Sequence, residues 1–373
     1  MKAILIGPYL RFGGVSRYVK DLLSGSGEFE LFDTARPEKE KIRSGTGYIE
    51  AFNTGFIRVL SGLCVTVRNI LRFPFVLMRS EAEIVHICGV SFFPFWENAF
   101  YCTIGRLLGK RITLHYLGAF DQFYEPAGRI HKFLIRSVLR IPDRIMLLSE
   151  KVKNLVASFI AVEKLSVVPS SVDTSRFNAT NRDFPAVPGE VRILFVGGLD
   201  PFRKGVYDLL DAVKLILPEA PSAKLVMTGG SSFDEVEDKW KRMDLDDNVE
   251  FLGWFDEIML PSLYAFCDIL ALPSYNEGLP YVIIEALSSG LPIVASRVGG
   301  IPDVVSNGEN GFIIEPGDID ALANRLLELV RNTELRISMS RNNRVKAVRE
   351  YSLEHVLSEL NRIFSSLQDD SLK

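Results

Sequence analysis

The sequence predicts an α/β protein built from two doubly wound domains, and three observations carry that prediction. Short β-rich apolar runs alternate with helix-patterned segments along the chain, the order expected of parallel sheets covered on both faces. Glycine pairs follow strand-like runs at Gly13-Gly14, Gly197-Gly198 and Gly229-Gly230, where backbone turning from strand to helix presents its N–H groups. The length of 373 residues is sufficient for two separate cores. Residues 177–189, with Asn178, Asn181, Pro185, Pro188 and Gly189 and no periodicity, read as a linker. The expected division is therefore 1–185, 186–350 and a last helical segment, 351–373.

Bulk properties narrow the class. Hydrophobic content of 47% and charged content of 24% are those of a globular domain, so disorder is not expected. Cys64, Cys88, Cys102 and Cys267 show no metal or redox spacing and are expected as reduced thiols of a cytoplasmic protein. The Lys2–Gly7 run is too short for a signal-peptide core, and no apolar run is long enough to span a bilayer. Net charge is −4, but it is unevenly shared. Up to residue 185 there are 25 Lys and Arg against 17 Asp and Glu, a net +8; beyond it there are 18 against 30, a net −12. A basic half joined to an acidic half suggests that one domain meets an anionic partner. Nucleic acid is excluded because no dense basic cluster or nucleic-acid motif accompanies the charge. An anionic membrane surface, at the inner face of the membrane, or a lipid-phosphate acceptor fits better.

In chain order, Lys2–Ile6 reads as the first strand and Gly13-Gly14 as the opening of a helix to about Leu23. The pair is either a phosphate-approaching turn or a plain tight one. Phe56–Met78 is a long apolar helix marked by Arg58, Arg68 and Arg72; its charges mark a solvated face or a membrane-surface helix. Ile84–Cys88 is a strand followed by an aromatic loop with Phe92, Phe93, Phe95 and Trp96, either core or the rim for an apolar partner. Ile112–Tyr116, Arg144–Leu148 and Leu165–Val168 are the next strands, and Ser149 is expected to cap a helix from Glu150.

In the second half, the strand Arg192–Val196 is followed by Gly197, Gly198 and the basic pair Arg203-Lys204 before a helix from Gly205. Lys204 is placed to neutralise a diphosphate with that helix N-terminus behind it. The strands Leu225–Thr228 and Val249–Leu252 come next, the latter ending at Gly253 with Trp254 and Phe255 beyond it. The organising stretch is NEGLPYVIIEALSSGLPIVAS, Asn276–Ser296. It reads as loop, helix from Pro280, glycine stop at Gly290 and buried strand, the second part of a βαβ unit whose loop lies at the carboxyl edge of the sheet. Glu277 in the loop and Glu285 in the helix can both face a ligand at the helix N-terminus, where Gly278, Leu279 and Pro280 bring backbone close. Carboxylates beside an anion site suit a ligand offering hydroxyls as well as phosphates, such as a sugar diphosphate. The alternative is that Glu277 caps the helix and Glu285 is solvated.

The stretch EGLPYVIIEALSSGLPIVAS resembles the E-x7-E signature of retaining GT-B glycosyltransferases, above all glycosyltransferase family 4. RILFVGGLDPFRKGVYDLLDAV and VGGIPDVVSNGENGFIIEPGDIDALA resemble the segments on either side of it. GGVSRYV, IVHICG, ITLHYLG, LLSEKVK and VVPSSVDTSRF follow the family's order in the first half. The resemblance implies the GT-B fold, two Rossmann-like domains facing across a cleft, with a C-terminal helix crossing back to the first domain. It implies retaining transfer of a sugar from a nucleotide-sugar, UDP-sugar favoured over GDP-sugar, to a lipid-linked or soluble saccharide, with no cofactor or metal. It further implies a catalytic role for His115 beside the donor sugar, donor-side roles for Gly14, Gly198 and Trp254, orientation of the donor sugar by the catalytic Glu277, and ribose binding by Glu285. The chain departs from the family's pattern at Cys88, at Ser170-Ser171 and at Gly198, where arginine is common; Arg203 is the expected compensation. A nucleotide-sugar epimerase and a non-catalytic nucleotide-sugar binder remain as alternatives.

Overall fold

A computed structural model describes residues 2–9, 13–35, 56–179, 189–198, 200–230, 234–255 and 257–369. The described chain forms two compact units, one of residues 2–35, 56–171 and 353–369, the other within 172–352. Among the described residues no helix is long and apolar enough to cross a membrane.

The first unit is a parallel six-stranded sheet in the order β2-β1-β3-β4-β5-β6, formed by β1 (Ala3–Gly7), β2 (Phe29–Asp33), β3 (Ile84–Gly89), β4 (Arg111–Tyr116), β5 (Arg144–Leu147) and β6 (Leu165–Val167). Every residue of β1 and β3 is buried, as a strand covered on both faces requires. The chain steps from β1 out to β2 and then reverses through β3 to β6, so the switch point lies between β1 and β3. Helix Gly14–Gly25 packs with the C-terminal helix Leu353–Asp369, whose Phe364 ring meets Phe29 and His86. The aromatic segment after β3 is a helix, Phe93–Leu107, rather than a loop, and Phe95 is core. Pro94 in its first turn starts the helix at no hydrogen-bond cost.

The second unit repeats the theme in the order β12-β11-β10-β7-β8-β9, again wholly parallel. Its strands are β7 (Val191–Gly198), β8 (Ala223–Gly229), β9 (Val249–Phe251), β10 (Ile269–Leu272), β11 (Ile293–Ser296) and β12 (Gly311–Ile314). Its switch point lies between β7 and β10, and ligands of such sheets bind beyond the strand ends there. The units divide at 171/172, where Val172 pairs with Ser352, ahead of the boundary expected at 185. Phe177 is buried against Tyr264 and its carbonyl accepts from Ser288 and Arg344, so the chain already packs in the second unit before the Pro- and Gly-rich segment. Of that expected linker, residues 180–188 lie outside the described residues.

Candidate active site

The switch point of the second unit brings together two loops, one leaving β7 and one leaving β10. Gly205, at φ 77°, joins the first loop to helix Val206–Ile216, and a Cβ there would strike the Pro273 carbonyl of the second. Only glycine allows that approach without rearrangement. The Tyr275 N–H donates to the Arg203 carbonyl at 2.9 Å, and the Arg203 guanidinium donates to the Asn276 carbonyl at 2.9 Å. Arg203 also lies 3.6 Å from Asp200. Its guanidinium therefore holds the Asn276 loop, and the expectation that it stands in for an arginine at Gly198 meets this different arrangement.

Within this frame Lys204 Nζ is 3.6 Å from Glu277 Oε1, both side chains largely buried. Ser274 Oγ donates to the same Oε1 at 3.1 Å. Glu277 thus does not cap helix Tyr281–Ser289, whose start at Pro280 has no side-chain cap. The Gly278 carbonyl accepts from the Gly300 N–H at 2.6 Å, and a Cβ on Gly299, at φ 54°, would collide with the Glu277 and Gly278 carbonyls. Leu279 and Pro280 are buried beneath this loop. Glu285, a turn into the helix, is only 2% exposed, so it is not a solvated helix residue. A carboxylate is rarely so buried without a structural or ligand-binding reason. Ser274 and Gly299 are not singled out by the sequence, in which Gly205 reads only as the start of a helix.

Two further expected residues lie on the same edge of this sheet. Gly198 ends β7 beside Gly229, after a register shift. Trp254 is half-exposed beyond β9, where the Gly253 carbonyl accepts from Thr228 Oγ1 and the Gly229 N–H. It stands two strands from β7, about 10 Å by strand spacing.

Gly14 and His115 belong to the first unit. Gly14 starts its helix at the β1/β3 switch point and lines a cavity of about 290 Å³ with Pro8, Cys88, Glu97, Asn98 and Tyr101. There Glu97 accepts from Tyr101 at 2.5 Å and from Thr66 at 3.2 Å. His115 is elsewhere. It is fully buried, Nε2–H donating to the Val168 carbonyl at 2.9 Å and Nδ1 accepting from Tyr18 at 2.8 Å. Burial pushes its pKa down to about 4, so the ring is neutral and both nitrogens are used. The structure does not bring it to a ligand-facing position: its ring points from within β4 into the layer occupied by Tyr18.

Residues 190–332, which contain both loops, match the family described as Glycosyl transferases group 1. The chain is 30% identical over 168 residues to N-acetyl-alpha-D-glucosaminyl L-malate synthase of Bacillus anthracis, covering 45% of this chain and 44% of that protein. It is 29% identical over 277 residues to UDP-Gal:alpha-D-GlcNAc-diphosphoundecaprenol alpha-1,3-galactosyltransferase of Escherichia coli, 69% of this chain and 70% of the other. It spans about half the length of the curated relatives it matches first. Sucrose-phosphate synthase from Thermosynechococcus elongatus has a similar structure, with TM-score 0.78 at 19% identity, covering 99% of this chain and 100% of that one. Two wholly parallel six-stranded units of this kind are the GT-B fold. Over residues 190–332, the chain matches the glycosyl transferases group 1 family.

Proposed function

We propose that the protein transfers a sugar from a nucleotide-sugar to an acceptor hydroxyl with retention of anomeric configuration. The observation that carries the reading is the Lys204–Glu277 pair at the β7/β10 switch point, fixed by Ser274 and the glycine contacts. As a nucleoside diphosphate leaves, negative charge grows on its phosphates. Lys204 and the uncapped start of helix Tyr281–Ser289 are already positioned to stabilise it. Glu277 orients the donor sugar through its hydroxyls, and the carboxylate also keeps the ammonium in place when no phosphate is there. Glu285 receives the ribose hydroxyls, with Trp254 beside the base. Uracil is the favoured base, in line with the UDP-Gal donor named for the Escherichia coli relative.

The acceptor is a saccharide, lipid-linked or soluble, received by the first unit, and the product belongs to cell-surface polysaccharide or glycolipid. The protein is a cytoplasmic hexosyltransferase, peripheral on the inner membrane face, and no metal ion takes part. The test is direct. UDP should raise the melting temperature more than GDP, and turnover with a UDP-hexose should give a product of unchanged anomeric configuration by NMR and survive EDTA. An inverted product, or no stabilisation by any nucleoside diphosphate, overturns the reading.

A further inference from the structure

The first unit carries an apolar surface that its own core does not use. From β2 the chain crosses to β3 and then on to β4 and β5 in one direction. Right-handed crossovers put helices Phe56–Arg79, Phe93–Leu107 and Arg129–Leu139 side by side on one face of the sheet. Contacts link them. Thr66 donates to Glu97 and Phe73 packs on Tyr101; a short helix, Phe120–Tyr124, bridges the second and third, its Phe123 ring 5.4 Å from that of Phe92 and its Tyr124 hydroxyl accepting from Arg136.

The inward stripes of these helices are core, for example Phe73, Leu77, Phe95, Ile135 and Leu139. The outward stripes are apolar too. On the first helix Leu63, Val67, Leu71, Phe75 and Met78 recur at three- and four-residue spacing, with Leu71 63% and Phe75 62% exposed. On the second, Phe93 and Trp96 are exposed; on the third, Ile130 is 76% and Phe133 65% exposed. Phe92, at φ 64°, is held in a backbone region that bulky residues avoid, and its side chain is exposed. Large residues clustered in this way mark an interaction surface.

Charge identifies the partner. The first and third helices contain no Asp or Glu, and their exposed edges carry Arg72, Arg79, Arg129 and Arg136. Of the four acidic residues from 93 to 144, three have protein partners: Glu97 with Tyr101, Asp121 with Lys151 and Asp143 with Arg106. Glu125 is exposed. In a symmetric dimer through this face the same cations would oppose each other, whereas apolar stripes edged by arginine suit the interface of an anionic bilayer.

We infer that this three-helix face docks on an anionic phospholipid surface, with Leu71, Phe75, Ile130 and Phe133 entering the interfacial layer. The inference does not depend on the transferase reading, because no nucleotide-binding residue lies on the face. Co-sedimentation with phosphatidylcholine vesicles, with and without phosphatidylglycerol, at low and high salt tests it. Wild type should bind the anionic vesicles at low salt and release at high salt. Leu71→Glu/Phe75→Glu and Ile130→Glu/Phe133→Glu should each partition at least tenfold more weakly, and the exposed control Leu215→Glu should bind as wild type. Circular dichroism and the melting temperature report whether each variant is folded. Equal binding to neutral and anionic vesicles overturns the inference, as does wild-type affinity in both double variants. A lipid-free dimer that these substitutions convert to monomer also overturns it, by making a second copy the occupant.

Discussion

Replacing His115 by Gln separates a structural histidine from a catalytic one. The ring is enclosed, with its Nε2–H on the Val168 carbonyl and Nδ1 receiving the Tyr18 hydroxyl. Its pKa falls from 6.5 to about 4 because burial disfavours the imidazolium. The folded protein therefore binds a proton less readily than the unfolded chain does. A depressed histidine contributes its full stabilisation above the unfolded pKa of about 6.5 and loses it as pH falls towards the folded value of about 4. A gap of about 2.5 pKa units at 1.36 kcal/mol each corresponds to roughly 3 kcal/mol. Urea denaturation of wild type and His115→Gln at several pH values reports this, since the remaining titrations are common to both apart from that of the neighbouring His86. The stability advantage of wild type should shrink by roughly 3 kcal/mol between about pH 7 and about pH 4. Turnover per folded molecule should stay within a few-fold of wild type. A constant stability gap, together with a collapse in turnover and unchanged stability at neutral pH, would refute the structural assignment.

The other predictions concern the second unit. Lys204→Ala should lower kcat/KM by the equivalent of roughly 2–4 kcal/mol, the scale of losing one preorganised charged donor. Arg203→Ala should cost clearly less in rate and more in thermal stability, because its guanidinium holds the Asn276 carbonyl; equal rate losses would contradict that division. Glu285→Gln should weaken UDP binding in calorimetry while Glu277→Ala lowers turnover, and unchanged values for both would remove the carboxylates from the site. Gly205→Ala should destabilise by several kcal/mol, about 1 from the left-handed backbone and the rest from the Pro273 carbonyl it would strike; a melting temperature equal to wild type would sink the packing argument.

How much of this was readable before the structure depended on whether the deciding partner was near in sequence. Strands buried on both faces stand out by their own composition, as Ile84–Cys88 does within the fully buried β3. The edge strand β2, FELFD, is mostly half-exposed and interrupted by Glu30 and Asp33, so no apolar run marks it. The start of helix Phe93–Leu107 reads as a loop because its first turn is proline and aromatics; the helical burial of Phe95, Tyr101, Cys102 and Gly105 appears only over the whole segment. His115 ends an apolar run in either role, and Tyr18, 97 positions away, decides which. Arg203 and Lys204 show the same principle at the site itself. They are neighbours in sequence, both cations ahead of one helix, yet one is spent on the Asn276 carbonyl and the other faces Glu277, 73 residues on. That distant carboxylate is near because β7 and β10 are adjacent across the switch point, a consequence of strand order. The pairing of charge with hydroxyl-binding carboxylate is therefore a property of the topology, and a short motif acquires its chemistry only where the sheet brings its two loops together.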